Sequence, residues 1–158
     1  MIESRRKMLS PVLLRLFFLA KLPLALFAGV RLRELDAEHA VATVPYGWRS
    51  TNPFRSTYFA ALSMAAEFAT GALAALAAES APRPVAMLIV SMTASFEKKA
   101  TALTSFTCAD GGKLAAAVAR AVATGEPAVA EAEAVGRMAD GTVVARFTFA
   151  WSFKARSR

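Results

Sequence analysis

Hydrophobic positions along this chain change period several times, and each change marks an element. TVVARFTFAWSFK (142–154) alternates strictly. Val143, Ala145, Phe147, Phe149, Trp151 and Phe153 share one face, and Val144, Arg146, Thr148, Ala150, Ser152 and Lys154 the other. That period of two predicts a strand. AVAEAEAVGRM (128–138) predicts its partner, with Asp140-Gly141 as the hairpin turn between them. VRLREL (30–35) and HAVATVPY (39–46) predict two more strands turning at Asp36-Ala37-Glu38. The uncharged run VAMLIVSMTASF (85–96) suits a strand buried on both faces. After the charged turn Glu97-Lys98-Lys99, TALTSFTC (101–108) predicts a sixth.

Between these strands the apolar spacing turns helical. Residues 56–79, STYFAALSMAAEFATGALAALAAE, predict one long helix stopped by the Pro82–Pro84 breaker. KLAAAVARAVAT (113–124), ended by Gly125, predicts a short helix inserted between the fourth and fifth strands. Near the N-terminus the apolar sequence could pass for a signal peptide or anchor. Arg15, Lys21 and Pro23 interrupt it, and a spanning helix needs about 20 mostly apolar residues. Two short amphipathic helices are expected instead, with Ser10-Pro11 starting the first, Pro23 restarting the second and Gly29 ending it. The whole predicts a single α+β domain over 1–158: a helical extension (1–28), and a six-stranded antiparallel sheet around one long central helix (56–79).

Composition adds a surplus. Hydrophobic residues make up 56% of the 158, above the roughly 45–50% of ordinary globular chains, so a membrane or a subunit interface must take some of them. A homodimer or dimer of dimers is expected. The net charge of +7 favours phosphate-bearing partners. Part of it sits in terminal residues (Arg5, Arg6, Lys7, Lys154, Arg156, Arg158) that read as solubilising tails. Basic residues are not interleaved with aromatics, which argues against nucleic acid. The single cysteine, Cys108, fits a reducing cytoplasm and excludes a cysteine-rich zinc site. His39, the only histidine, excludes a two-histidine metal site and reads as a surface residue. No serine-hydrolase elbow, dinucleotide fingerprint or P-loop is present.

Glu67 is the one charge between Arg55 and Glu79. At 100° per residue its own face carries Ala60, Ser63, Met64, Thr70, Gly71 and Ala74, while Leu62, Ala69, Leu73 and Leu76 lie opposite. Glu67 is therefore expected on the side facing away from the main packing surface. Three readings follow: a transmembrane oddity, a carboxylate at an interface rim or in solvent, or an acid in an apolar cleft whose desolvation raises its pKa and suits it to acid–base or nucleophilic work. Ser63 and Thr70 can bond Glu67 or bond back to their own helix. Asn52, before Pro53, either shapes its loop or orients the acid. Arg49 and Arg55, like Lys98 and Lys99, either meet coenzyme A phosphates or are solvated.

Sheet-around-helix order, with Asn52 before the helix and an acid fifteen residues later, resembles the hotdog fold and within it the phenylacetate-pathway (PaaI-like) thioesterases. There an Asn precedes the helix, His-Gly-Gly stands at its first turn, and an Asp or Glu follows nine residues after the His. Aligned on Glu67, this chain keeps Asn52 and has Tyr58-Phe59-Ala60 in place of His-Gly-Gly. LAKLPLALFAGVRL, WRSTNPF and AAEFATG also resemble an uncharacterised branch of that superfamily, a domain of unknown function with a longer N-terminus. The resemblance implies hydrolysis of an acyl thioester, coenzyme A being part of the substrate and no separate cofactor being needed. It implies Glu67 as base or nucleophile, Asn52 as its orienter, the Phe59 backbone N–H as carbonyl donor, and Tyr58 as a hydrogen-bond donor or packing residue. A non-catalytic acyl-thioester or lipid binder, and a membrane-surface protein using residues 8–30, are the alternatives.

Overall fold

The computed structural model describes residues 9–156; Arg5, Arg6, Lys7 and Arg158 lie outside that range. The elements run α1 (Pro11–Lys21), α2 (Pro23–Ala28), β1 (Arg31–Leu35), β2 (Ala40–Val44), α3 (Phe59–Glu79), β3 (Val85–Phe96), β4 (Thr104–Cys108), α4 (Gly111–Thr124), β5 (Ala128–Arg137) and β6 (Val143–Ala155). The six strands form one sheet in the order β1-β2-β4-β5-β6-β3, every neighbour antiparallel. It wraps α3, which contacts all six strands.

Close wrapping is possible because the facing residues are small. Ala61, Ala65, Ala66, Ala69 and Ala72 of α3 are buried, and β5 turns Ala132, Ala134 and Gly136 inward. A β-carbon on Gly136 would run into the Phe106 ring. Bulk comes from Phe106, Phe147 and Phe153, with Phe147 in ring contact with Phe96, Phe106 and Phe149. The helix is long and apolar enough to cross a membrane, yet it is the core helix of this sheet.

The local signals act as expected at several ends. The Ser10 hydroxyl accepts from the Leu13 N–H, Pro11 opens α1, and Gly29 closes α2 at φ 82°. Two expectations are corrected. The central helix begins at Phe59, not at residue 56, because Ser56 and Thr57 are otherwise engaged: their N–H groups donate to Asn52 Oδ1 (3.2 Å) and to the Ala100 carbonyl (2.7 Å). Nor is β3 buried on both faces. It is an edge strand, bulged at Val90, and Leu88, Val90, Met92 and Phe96 are exposed.

α4 begins against the β1–β2 turn, where the Gly111 N–H donates to the Glu38 carbonyl (3.0 Å). A β-carbon on Gly111 would sit 2.8 Å from Glu38 Cα and closer still to the Ala37 carbonyl oxygen, both backbone atoms that cannot swing aside. Gly111→Ala is therefore expected to destabilise the protein by about 1–3 kcal/mol, read as a lowered midpoint in urea.

Candidate active site

Glu67 lies two turns into α3, with buried residues before and after it on the same helix. Its carboxylate reaches over Gly71, so a β-carbon there would stand 3.0 Å from Oε1 and 3.3 Å from the Trp151 ring. Around it is an apolar cleft of about 450 Å³ between α1, α3 and the β6–β3 edge, lined by Leu13, Phe17, Phe68, Met87 and Trp151 among others. Glu79 lies at the same cleft. No donor among the described residues reaches the Glu67 carboxylate, and burial alone pushes its pKa up from 4.5 to about 6. The group thus changes protonation just below neutrality, where a general base works best.

The helix face is more enclosed than its periodicity suggests. Thr70 and Ala74, on Glu67's side of the wheel, are fully buried, because the curved sheet comes round to that side and places Trp151 there. Thr70 Oγ1 donates to the Glu67 carbonyl (3.0 Å) and accepts the Trp151 indole N–H (3.1 Å). It bonds back to its own helix and does not meet the carboxylate. Ser63 donates to the Met92 sulfur (3.6 Å), toward the edge strand.

The other candidates gather at the start of α3, in a second cleft of about 520 Å³ that includes Asn52, Tyr58, Phe59, Lys98 and Lys99. Asn52 Oδ1 accepts from the Phe54 N–H (2.9 Å) and the Ser56 N–H (3.2 Å), and its amide donates to Ser56 Oγ (3.1 Å). That side chain is occupied in holding the loop. Arg55 takes a left-handed φ of 58° within it. Tyr58, the N-cap residue, makes no side-chain bond to the helix; the Ala61 N–H donates to the Tyr58 carbonyl (2.9 Å), and the Phe59 and Ala60 N–H groups have no partner among the described residues. Its ring meets that of Phe59 edge to face at 4.8 Å. Lys99 donates to the Phe54 carbonyl (3.2 Å), and Lys98 is exposed.

Arg49 belongs elsewhere, beside Gly29 at the end of α2. His39 sits at the surface, its ring nitrogens at 2.7 Å from Asp36 and 3.2 Å from Glu34. Cys108 is buried, and desolvation pushes its thiol up to about 11, which leaves it a poor nucleophile. Sequence reasoning missed the cleft walls. Gly71 was visible one turn from Glu67, and Trp151 lay on the inward face of β6, but neither pattern says that the two meet.

None of the curated proteins is similar to the chain in sequence. Solved structures are similar in fold. Thioesterase HI1161 from Haemophilus influenzae is 10% identical with a TM-score of 0.65, the match covering 89% of this chain and 88% of that one. The PaaI protein from the phenylacetic acid degradation operon of E. coli is 14% identical with a TM-score of 0.61, covering 98% and 96%. PA5026 from Pseudomonas aeruginosa, described as a protein of unknown function and "Probable Thioesterase", is 19% identical with a TM-score of 0.75, covering 95% and 99%. The architecture is that of the hotdog fold, and the match to DUF4442, a domain of unknown function, spans residues 11–153. The chain belongs to the DUF4442 family.

Proposed function

We propose that the protein hydrolyses an acyl thioester, an acyl-CoA in class, at a site completed by two copies of the chain. Glu67 carries this reading: a carboxylate with no hydrogen-bonding partner among the described residues, in an apolar cleft on the central helix of a hotdog fold, with its pKa raised to about 6. Retaining a charged side chain where burial disfavours its charge suits a group used for proton transfer.

Helix geometry explains why a second copy is needed. Phe59 and Glu67 are eight residues apart on α3, about 12 Å along the axis at 1.5 Å per residue. An oxyanion donor must lie about 3 Å from the thioester oxygen and a general base about 3 Å from the water attacking its carbon, so the two sit within roughly 8 Å of each other. Within one chain they cannot. The unpaired edge of β3, twelve residues long with Leu88, Val90 and Met92 exposed, offers a surface on which two copies can join. A two-fold dimer would pair Glu67 of each copy with the α3 start of the other, giving two equivalent sites.

The reaction then follows from the groups present. Ionised Glu67 takes a proton from water as its oxygen attacks the thioester carbon. The tetrahedral oxyanion is held by the uncapped Phe59 N–H of the second copy, helped by the positive end of the helix dipole. The C–S bond breaks, the sulfur takes the proton back from Glu67, and a carboxylic acid and a free thiol leave. The acyl chain lies in the apolar cleft, and Arg55, Lys98 and Lys99 meet the coenzyme A phosphates. Free Cys108 agrees with a cytoplasmic setting.

Thiol release from a panel of short, long and aromatic acyl-CoAs tests the reading, and Phe59→Pro sharpens it. Proline is tolerated at the first helical position; it removes the N–H together with the ring, while alanine removes the ring alone. Phe59→Pro is expected to lower kcat about 10²–10³-fold, while Phe59→Ala, which keeps the N–H, holds within about tenfold. A second reading, a non-catalytic acyl-thioester binder, is favoured by the paired Tyr58 and Phe59 rings at the helix start. It predicts acyl-CoA binding with no thiol released on any chain length.

A further inference from the structure

From Leu9 to Arg33 the chain has four basic residues, Arg15, Lys21, Arg31 and Arg33, and no acidic one. In the structure this segment forms α1, α2 and the start of β1, and it is where apolar side chains are most openly displayed. Val12, Leu16 and Leu19 follow one another at helical spacing on α1, Leu24 and Phe27 stand on α2, and all five are more than half exposed. Trp48, 85% exposed, extends the patch through an edge-to-face contact with Phe27 at 6.4 Å. Isolated exposed apolar residues are ordinary. Six on two helices that pack on each other, plus the neighbouring loop, are not.

A groove of about 610 Å³ between α1, α2 and β1, which Leu19 and Phe27 of that patch help to line, gathers Arg15, Arg31, Arg33 and Arg49. Arg33 donates to Thr43 Oγ1 (3.3 Å). No carboxylate among the described residues pairs with any of the four, although Arg146 and Lys113 elsewhere have acidic partners. Guanidinium groups with no carboxylate partner among the described residues, beside displayed Leu, Phe and Trp side chains, match the boundary between headgroups and acyl chains of an anionic bilayer. There the apolar groups enter the acyl region and the arginines meet lipid phosphates.

We infer that α1, α2 and the Trp48 loop form a docking surface for anionic phospholipid membranes, with Arg15, Arg31, Arg33 and Arg49 as the phosphate-binding element. A second copy of the chain fits the same surface less well, since two-fold pairing would set one all-positive patch against another. The surface is distinct from the site at Glu67 and does not rest on catalysis. The two share a wall, because Leu13 and Phe17 of α1 line the Glu67 cleft.

The chain carries its own reporter. Of its two tryptophans, Trp151 is buried and Trp48 is exposed, so a blue shift on adding vesicles reports Trp48 entering lipid. Full-length protein is titrated with vesicles of mixed phosphatidylcholine and phosphatidylglycerol, and with phosphatidylcholine alone, at low and high salt. Binding and a blue shift are expected with the anionic vesicles only, weakening as salt rises. Arg15→Gln and Arg31→Gln should each weaken partitioning about fivefold, at about 1 kcal/mol per basic residue. Leu16→Ser with Leu24→Ser, both surface changes, should abolish the shift while leaving the thermal midpoint unchanged. No binding to either vesicle overturns the proposal, as does binding indifferent to lipid charge. A change in oligomeric state caused by Leu16→Ser with Leu24→Ser would also overturn it, showing that a second copy covers this face.

Discussion

Glu67→Gln is expected to lower kcat/KM for acyl-CoA hydrolysis by about 10²–10⁴-fold, the range for loss of a positioned general base. Glutamine keeps the shape of the side chain and removes its ability to take a proton, so substrate affinity should be little affected. In the wild type, kcat/KM should rise with pH through an apparent pKa near 6, because the ionised carboxylate is the active form. The mutant's residual rate should lack that limb.

Stability should move the other way. In the folded protein the Glu67 carboxyl holds its proton up to about pH 6, and in the unfolded chain it releases it near 4.5. Between those values the folded state binds more protons, so stability falls as pH rises, by about 2 kcal/mol once pH 7 is passed. Glutamine has no such penalty. Glu67→Gln should therefore unfold at higher urea than wild type at pH 8, and the difference should vanish below pH 4.5. A variant that is both more stable and inactive marks a residue kept for chemistry.

Trp151→Ala is expected to carry the largest stability cost, about 3–5 kcal/mol in urea unfolding. The ring is buried on a central strand, packs against Gly71, and donates its indole N–H to Thr70, joining the sheet to the central helix. Trp151→Phe retains much of the packing and loses the bond, so a loss nearer 1 kcal/mol is expected. Both changes also alter the cleft wall beside Glu67. Trp151→Phe should accordingly shift KM across acyl chain lengths, while kcat on the preferred substrate changes little.

Much of the fold was legible because local and global signals agree. The alternation from Val143 to Lys154, the Asp140-Gly141 turn, and the Ser10-Pro11 and Gly29 helix ends depend on backbone geometry that neighbouring residues alone impose. Contacts distant in sequence escaped that reading. The start of α3 is set by the Ala100 carbonyl drawing in Thr57 from forty-three residues away, and composition cannot show this. β3 read as a strand covered on both faces since its residues are apolar; its place at the sheet edge is a matter of topology. At the site, the lone carboxylate was visible. That Asn52 of the same chain does not bond it was not, because Asn52 bonds Phe54 and Ser56 instead.

Complementation between two inactive variants tests the account most directly. Glu67→Gln and Phe59→Pro are purified separately, each lacking one half of the site, then mixed under conditions that exchange subunits, and thiol release is measured. In a mixed dimer one of the two sites has both Glu67 and the Phe59 N–H intact, so activity should return to about a quarter of wild type at equal mixing. If mixed dimers form, as shown by mass spectrometry of differently tagged chains, and no activity returns, Glu67 and the start of α3 do not act together across two copies, and the central claim is contradicted.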